Sequence, residues 1–147
     1  MEIFRSKLHL CRLRELHGCP ALEVDETLCV DAQKYAEELI KKDFLVHATG
    51  NFGENIACRI SLFDVKLNGM EATRIWYNEI DKYNYDPYFQ EECGHFTQVV
   101  WKQTTQAGFG RATNAAGTKV IVVARYYPPG NIIGQFSENV PMPIKHD

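Results

Sequence analysis

The 147-residue sequence is short of the features that announce a function. It has no Asn-X-Ser/Thr sequon, no CxxC pair and no HExxH helix, so the local signatures of N-glycosylation, thiol redox chemistry and zinc proteases are missing. It has no long apolar run; the longest uninterrupted one is Val120 to Ala124, far below the roughly 20 residues needed to span a bilayer. No apolar signal-peptide core sits among Arg5, Lys7, Arg12 and Arg14. Glu at position 2 excludes N-myristoylation if Met1 is the native start. An excess of basic charge is absent too. The net charge of −3 argues against a nucleic-acid footprint, and against strong electrostatic docking on anionic membranes.

What is present suits one soluble domain over residues 1–147. Hydrophobic residues make up 45% and charged residues 24%, with seven Tyr, eight Phe and two Trp as bulky core material. Five cysteines, Cys11, Cys19, Cys29, Cys58 and Cys93, leave two readings open. One is a reduced cytosolic protein with buried thiols. The other is a secreted protein with one or two disulfides and a free thiol. The missing signal core favours cytoplasmic residence, including the cytosolic face of membranes; an extracellular protein with its leader removed is the alternative.

Along the chain, a first helix is expected from about Phe4 to Leu16, with Gly18 as its cap and Pro20 as its stop. Asp25 reads as the N-cap of a second helix, in which Leu28, Ala32, Tyr35 and Leu39 form one apolar face. Ala48 to Gly53 reads as a loop. A third helix is expected from about Met70 to Tyr83, with Ala72, Ile75, Trp76, Ile80 and Tyr83 as its stripe. Glu79 falls about 40° from Ile75 on that helix, so a carboxylate lies on the face meant for burial and calls for a partner. After a polar and aromatic loop, Asn84 to Gly94, strands Ala107 to Thr113 and Lys119 to Tyr127 read as a hairpin. Val120, Val122 and Ala124 face one side of the second strand; Ile121 and Val123 face the other. A strand apolar on both faces is covered on both, which predicts a three-layer α/β/α sandwich.

Four ordered blocks carry a resemblance. Gly94-His-Phe-Thr-Gln-Val-Val-Trp101 and Tyr126-Tyr-Pro-Pro-Gly-Asn-Ile-Ile-Gly134 resemble the two signatures of the CAP superfamily, which comprises cysteine-rich secretory, antigen-5 and pathogenesis-related proteins. Gly53-Glu-Asn-Ile-Ala57 and Trp76-Tyr-Asn-Glu79 match two further blocks. The chain is most similar to the short, cysteine-poor, Golgi-associated plant pathogenesis-related type, to which Val123-Ala-Arg-Tyr-Tyr127 and Phe136-Ser-Glu-Asn-Val140 extend the likeness. In the first helix, Leu10, Cys11 and Arg14 stand where the family usually carries His-Asn and Tyr-Arg.

The resemblance implies an α+β fold, a three-layer α-β-α sandwich with a central antiparallel sheet. It also implies a cleft in which His47, Glu54, Glu79 and His95 hold a divalent metal, with Zn²⁺ the expected ion. Two neutral imidazoles can hold one Zn²⁺, and the carboxylates can complete the set or orient the imidazoles. Similar proteins bind sterols or fatty acids near the loop after the third helix, which here places Tyr83, Tyr85, Pro87, Tyr88 and Phe89 in a lipid-binding surface. Peripheral membrane contact and homodimerisation follow by the same analogy. The expected function is a non-catalytic binding module. The alternatives are a metal-dependent hydrolase using the same cleft, with Cys93 and His95 conceivable as a nucleophile–base pair, and an interaction module with a vestigial cleft. His17, before Gly18, is expected at a helix C-terminus where a cation is favoured; neither it, His9 nor the tail residue His146 is assigned a function.

Overall fold

The computed structural model describes residues 3–147. Met1 and Glu2, on which the reading about myristoylation rests, lie outside it. The elements in order are α1 (Ile3–Leu16), β1 (Glu23–Val24), α2 (Glu26–Leu39), β2 (Gly53–Ile60), α3 (Gly69–Tyr77), α4 (Gly94–Val100), β3 (Gln106–Thr113), β4 (Lys119–Tyr127) and α5 (Phe136–Asn139). The sheet order is β1-β3-β4-β2.

The two-faced strand β4 organises the layers. Val120, Val122, Ala124 and Tyr126 pack into the larger core, with residues of α1, α3 and α4. Ile121 and Val123 pack into a second core with Ala32, Tyr35, Ala36 and Leu39 of α2. The sandwich is therefore α2, sheet, then the remaining long helices, as the alternation predicts. β2, β4 and β3 are antiparallel; the short edge strand β1 runs parallel to β3, so the sheet is mixed. Gly108 and Gly110 let β3 approach α2. A Cβ on Gly108 would lie 2.4 Å from the Cys29 nitrogen, and one on Gly110 would lie 2.3 Å from that of Gln33.

Local chemistry sets the helix ends. Asp25 caps α2 by accepting the Leu28 N–H, and Asn68 and Glu71 form a reciprocal capping box on α3. Gly18 takes the left-handed conformation (φ +72°) after α1. The third helix is shorter than expected. It ends at Tyr77 and tightens into a 3-10 turn over Asn78–Lys82. Ala72 and Trp76 are buried as expected, but Ile75 is 45% exposed, and Thr73 and Tyr77 take the inward positions instead.

α1 is held by a buried cation. Arg14 has no exposed surface and donates only to carbonyls: Nε to Pro20 (2.8 Å), Nη1 to Val99 (3.1 Å) and Trp101 (2.7 Å), Nη2 to Lys102 (3.4 Å) and Thr104 (3.1 Å). His17 is buried and does not behave as the cation expected at a helix end. Its Nδ1–H donates to the Pro141 carbonyl at 2.7 Å, and its Nε2 therefore accepts from the Tyr77 hydroxyl at 2.8 Å. Burial holds its pKa below the ordinary histidine value.

Candidate functional site

Glu54 and Arg125 face each other across β2 and β4. Both side chains are nearly enclosed, at 4% and 9% exposure, with Arg125 Nε donating to Glu54 Oε2 at 3.0 Å. The Arg125 guanidinium lies between the rings of Phe52 and Tyr35, 4.2 and 4.9 Å from their centroids. The second carboxylate oxygen reaches out of the sheet, where Oε1 accepts from His47 Nδ1 at 2.9 Å and from the Ala48 backbone N–H at 3.0 Å. The Tyr35 hydroxyl, donating to the Val46 carbonyl, fixes the loop just before His47.

A second carboxylate treats a second imidazole in the same way. Because α3 tightens after Tyr77, Glu79 sits in the 3-10 turn and points at the start of α4. Its Oε2 accepts from His95 Nδ1 at 2.7 Å, and its Oε1 accepts from the Phe96 backbone N–H at 2.9 Å. The Trp76 ring stacks on His95 at 6.3 Å between centroids and 22° between planes. Asn55 donates to the His95 carbonyl. Asn131 donates to the Gly94 carbonyl and accepts from Thr97, tying the loop after β4 to the first turn of α4.

The two dyads meet at one hollow. His47, Glu54, Asn55, Phe89, Glu91, Gly94, His95 and Asn131 line a space of about 300 Å³. Beside it, Leu45, Val46 and Ile56 line a smaller one of about 150 Å³ that both histidines also border. The imidazoles are 60% and 36% exposed, whereas Glu54 is enclosed. The Glu54 hydrogen bond holds the His47 pKa above the ordinary histidine value, against the opposing effect of burial.

The tautomers follow from the donors. A carboxylate only accepts, so in each neutral imidazole Nδ1 carries the proton and Nε2 keeps its lone pair. That is the arrangement of a carboxylate–histidine–metal triad, in which the carboxylate orients the ring and makes it more basic. The residues present thus fit a divalent cation held through Nε2 of His47 and His95. Glu54 and Glu79 already use both oxygens on N–H groups. Among the described residues, no group of three or more His, Cys, Asp or Glu side chains is drawn together as a ready-made metal cluster.

The other sequence-derived candidates divide. Tyr83 is buried, and Tyr85 packs on it edge-on at 4.7 Å with its own hydroxyl buried and its pKa pushed up to about 12 by burial. Those two rings serve the core. Pro87, Tyr88 and Phe89 face outward, Tyr88 being 58% and Phe89 41% exposed. Cys93 is buried. Its thiol donates to the Glu79 carbonyl at 3.5 Å and has its pKa raised by burial, while His95 Nδ1 is engaged by the Glu79 carboxylate. All five cysteines are thiols. Sequence reasoning missed Arg125, Glu91 and Asn131 as parts of the site. Arg125 and Asn131 stood inside segments already matched to the family; Glu91 carried no signal beyond its neighbourhood to His95.

Comparison with known proteins identifies the family and the fold. Residues 10–126 match the CAP family, described as the cysteine-rich secretory protein family. The chain belongs to the CAP family. Human Golgi-associated plant pathogenesis-related protein 1 is 40% identical over 139 residues, which cover 90% of this chain and 87% of that protein. Pathogenesis-related protein 1 of Arabidopsis thaliana is 38% identical over 120 residues, covering 80% of this chain and 71% of that one. Among solved structures, BmVAL-1 superposes on this CAP domain with a TM-score of 0.72 at 22% identity, over 90% of this chain and 77% of its own. NaASP2, solved with Zn²⁺, does so with a TM-score of 0.67 at 20% identity, over 97% and 85%. These likenesses establish the CAP sandwich as the fold. No helix among the described residues is long and apolar enough to cross a membrane.

Proposed function

We propose that this CAP domain is a non-catalytic binding module in which His47 and His95 hold one divalent cation, Zn²⁺ suiting two imidazoles best. One observation carries the reading: two imidazoles border a single hollow, each with its Nδ1 held by a dedicated carboxylate. Bound there, Zn²⁺ would supply a positive charge and open coordination positions for an acidic or carbonyl ligand. Glu54 and Glu79 orient the rings; Arg125 holds Glu54 in place. That the fold neighbour NaASP2 was solved with Zn²⁺ supports the choice of ion. Within this reading the compartment is cytosolic, including membrane faces, in line with the Golgi-associated human relative.

A lipid-binding role is proposed beside it, confined to Pro87, Tyr88 and Phe89. Phe89 lines the histidine hollow, so an apolar ligand lying along these three side chains would cover it.

Calorimetric titration with ZnCl₂ tests the metal reading. The wild-type protein should bind one equivalent, and His47→Ala/His95→Ala should lose at least about tenfold in affinity. Equal affinity in the double variant refutes the assignment.

A further inference from the structure

On the far side of α1 and α3, which pack together, a second group of side chains carries chemistry that the hollow does not use. His9 and Arg12 are three residues apart on α1 and so share a face. Met70, Glu71, Arg74 and Ile75 share a face of α3 by the same rule. Ile75, expected in the buried stripe, stands here in the open. A groove of about 390 Å³ is lined by His9, Arg59, Met70, Glu71, Arg74 and Ile75. Met70 and Ile75 give it an apolar wall, and Arg59 is taken by Glu71 at 3.5 Å. His9 Nε2 is enclosed and has no hydrogen-bond partner. Burial and the nearby Arg74 guanidinium hold the His9 pKa below the ordinary histidine value, so the ring is neutral near neutral pH. A neutral ring can meet either an incoming backbone N–H or a C=O.

The segment after α5 shows what the cations on this face hold. It passes Pro141, whose carbonyl accepts from His17, and crosses the end of α1. There the Ile144 and Lys145 N–H groups both donate to the Leu16 carbonyl, at 2.7 and 3.2 Å. Lys145 pairs with Glu15 at 3.1 Å. Asp147 then reaches the rim of the groove. One of its carboxylate oxygens accepts from Arg74 Nη1, and the other lies 3.9 Å from Arg12 Nη2. The Arg74 hydrogen bond holds the Asp147 carboxyl below the ordinary aspartate value, with Arg12 and His9 acting in the same direction. One carboxylate is thus shared by two guanidinium groups, and the rim keeps an excess of positive charge. The segment is loosely held. Residues 142–147 are all exposed, and an ion pair at the surface is weak and exchangeable. The groove's lining comes from α1, β2 and α3, so Asp147 occupies the rim and leaves the apolar wall uncovered.

We propose that the α1–α3 face docks an acidic peptide of a partner protein, a peptide carboxylate taking the place of Asp147 on Arg12 and Arg74 and a neighbouring apolar side chain lying in the groove on Met70 and Ile75. Guanidinium groups suit the role because their forked donors match a carboxylate. The two demands are independent. The arginines reject basic peptides by like-charge repulsion, and the groove favours an apolar neighbour over a polar one. Asp147 makes the site self-occupied, so a partner's apparent affinity falls by the fraction of time that Asp147 is in place. The site stands apart from the metal reading and uses no residue of the hollow.

Fluorescence anisotropy with a labelled decapeptide of alternating leucine and aspartate tests it, in chelator so that zinc plays no part. The decapeptide of alternating leucine and asparagine is the control. Wild type should bind the aspartate peptide at least about tenfold more tightly than the control. Asp147→Asn should bind it about three- to fivefold more tightly than wild type, a gain that no failure to fold can imitate. Arg12→Gln/Arg74→Gln should bind at least about tenfold more weakly, and Met70→Ser/Ile75→Ser about fivefold more weakly. Lys34→Gln/Lys41→Gln, on exposed positions of the opposite layer, should bind like wild type; a loss equal to that of the arginine variant would make the binding general electrostatics and overturn the proposal. Equal affinity for the two peptides overturns it, as does an Asp147→Asn variant that binds no more tightly than wild type. So does a wild-type dimer in sedimentation velocity that Asp147→Asn converts to monomer, since the occupant is then the same segment of a second copy.

Discussion

Replacing Glu54 by glutamine changes one oxygen for an amide and tests both the stability and the chemistry of the hollow. Glu54 accepts three hydrogen bonds, two at Oε1 from His47 and Ala48 and one at Oε2 from Arg125. Glutamine cannot satisfy all three. With its oxygen toward His47, its NH₂ confronts the Arg125 Nε–H, leaving an enclosed guanidinium without an anion. With its oxygen toward Arg125, the NH₂ confronts the Ala48 N–H and drives His47 to the other tautomer, which consumes the Nε2 lone pair. Breaking a buried ion pair by removing one partner costs about 3–5 kcal/mol. The lower end applies here, because Arg125 keeps its contacts with Phe52 and Tyr35. A loss of about 3 kcal/mol corresponds to a melting point lower by roughly 6–12 °C in a domain of this size. Urea denaturation of the chelator-treated protein at neutral pH measures it. His47→Ala is the control. It leaves the Glu54–Arg125 pair intact and removes a mostly exposed partner, so it should cost less than about 1 kcal/mol. Zinc affinity of Glu54→Gln should fall about 10- to 100-fold. If Glu54→Gln melts within about 0.5 kcal/mol of wild type, Glu54 and Arg125 do not form an enclosed pair and the reasoning fails.

Two further predictions concern buried groups away from the hollow. Arg14→Lys keeps the charge, but one ammonium can reach at most three of the five carbonyls that Arg14 serves. At about 1–3 kcal/mol for each orphaned carbonyl, a loss of about 2–6 kcal/mol is expected in urea melts, and a loss under about 1 kcal/mol would contradict the hydrogen-bond assignment. His17 has a lowered pKa in the folded protein, so its stabilising contribution is complete above 6.5 and is lost as pH falls through that value toward the folded one. His17→Gln, which can both donate to Pro141 and accept from Tyr77, should flatten the loss of stability between about pH 7 and 5. An unchanged slope would assign that loss to other groups, His9 first, whose pKa burial also lowers. His47 runs the other way: its raised pKa gives a contribution that is complete below 6.5 and fades as pH rises through the raised value.

The layers of the fold were legible because β4 is apolar on both faces. Val120, Val122 and Ala124 against Ile121 and Val123 require cover on both faces whatever the rest of the chain does. Asp25 and Gly18 marked helix ends by local chemistry and were readable for the same reason. β2 was not anticipated, since Ile56, Ala57 and Cys58 run consecutively and obscure the two-residue period of a strand. α4 escaped because seven residues are too few for helical periodicity to assert itself. The helix expected to Tyr83 was misjudged at its end, where the chain tightens by one class of turn and rotates Glu79 toward His95. Even so, Glu79 was conspicuous as a carboxylate on an apolar stripe. His47, Glu54 and His95 came from resemblance to the CAP family. Nothing local in the sequence pairs His47 with Glu54 through a loop or Glu54 with Arg125 across a sheet. Arg14 illustrates the same limit: its carbonyl partners at Val99 to Thr104 lie 85 or more residues away, and only the folded chain reveals why a cation is buried there.

A crystal structure of the zinc-soaked protein, with anomalous scattering recorded at the zinc edge, tests the central claim most directly. One ion bound to Nε2 of both His47 and His95 at about 2.0–2.1 Å, with Glu54 and Glu79 still on the Nδ1 atoms, is the predicted result. Zinc absent from the hollow, held on the carboxylates, or split between two separate imidazole sites would contradict it.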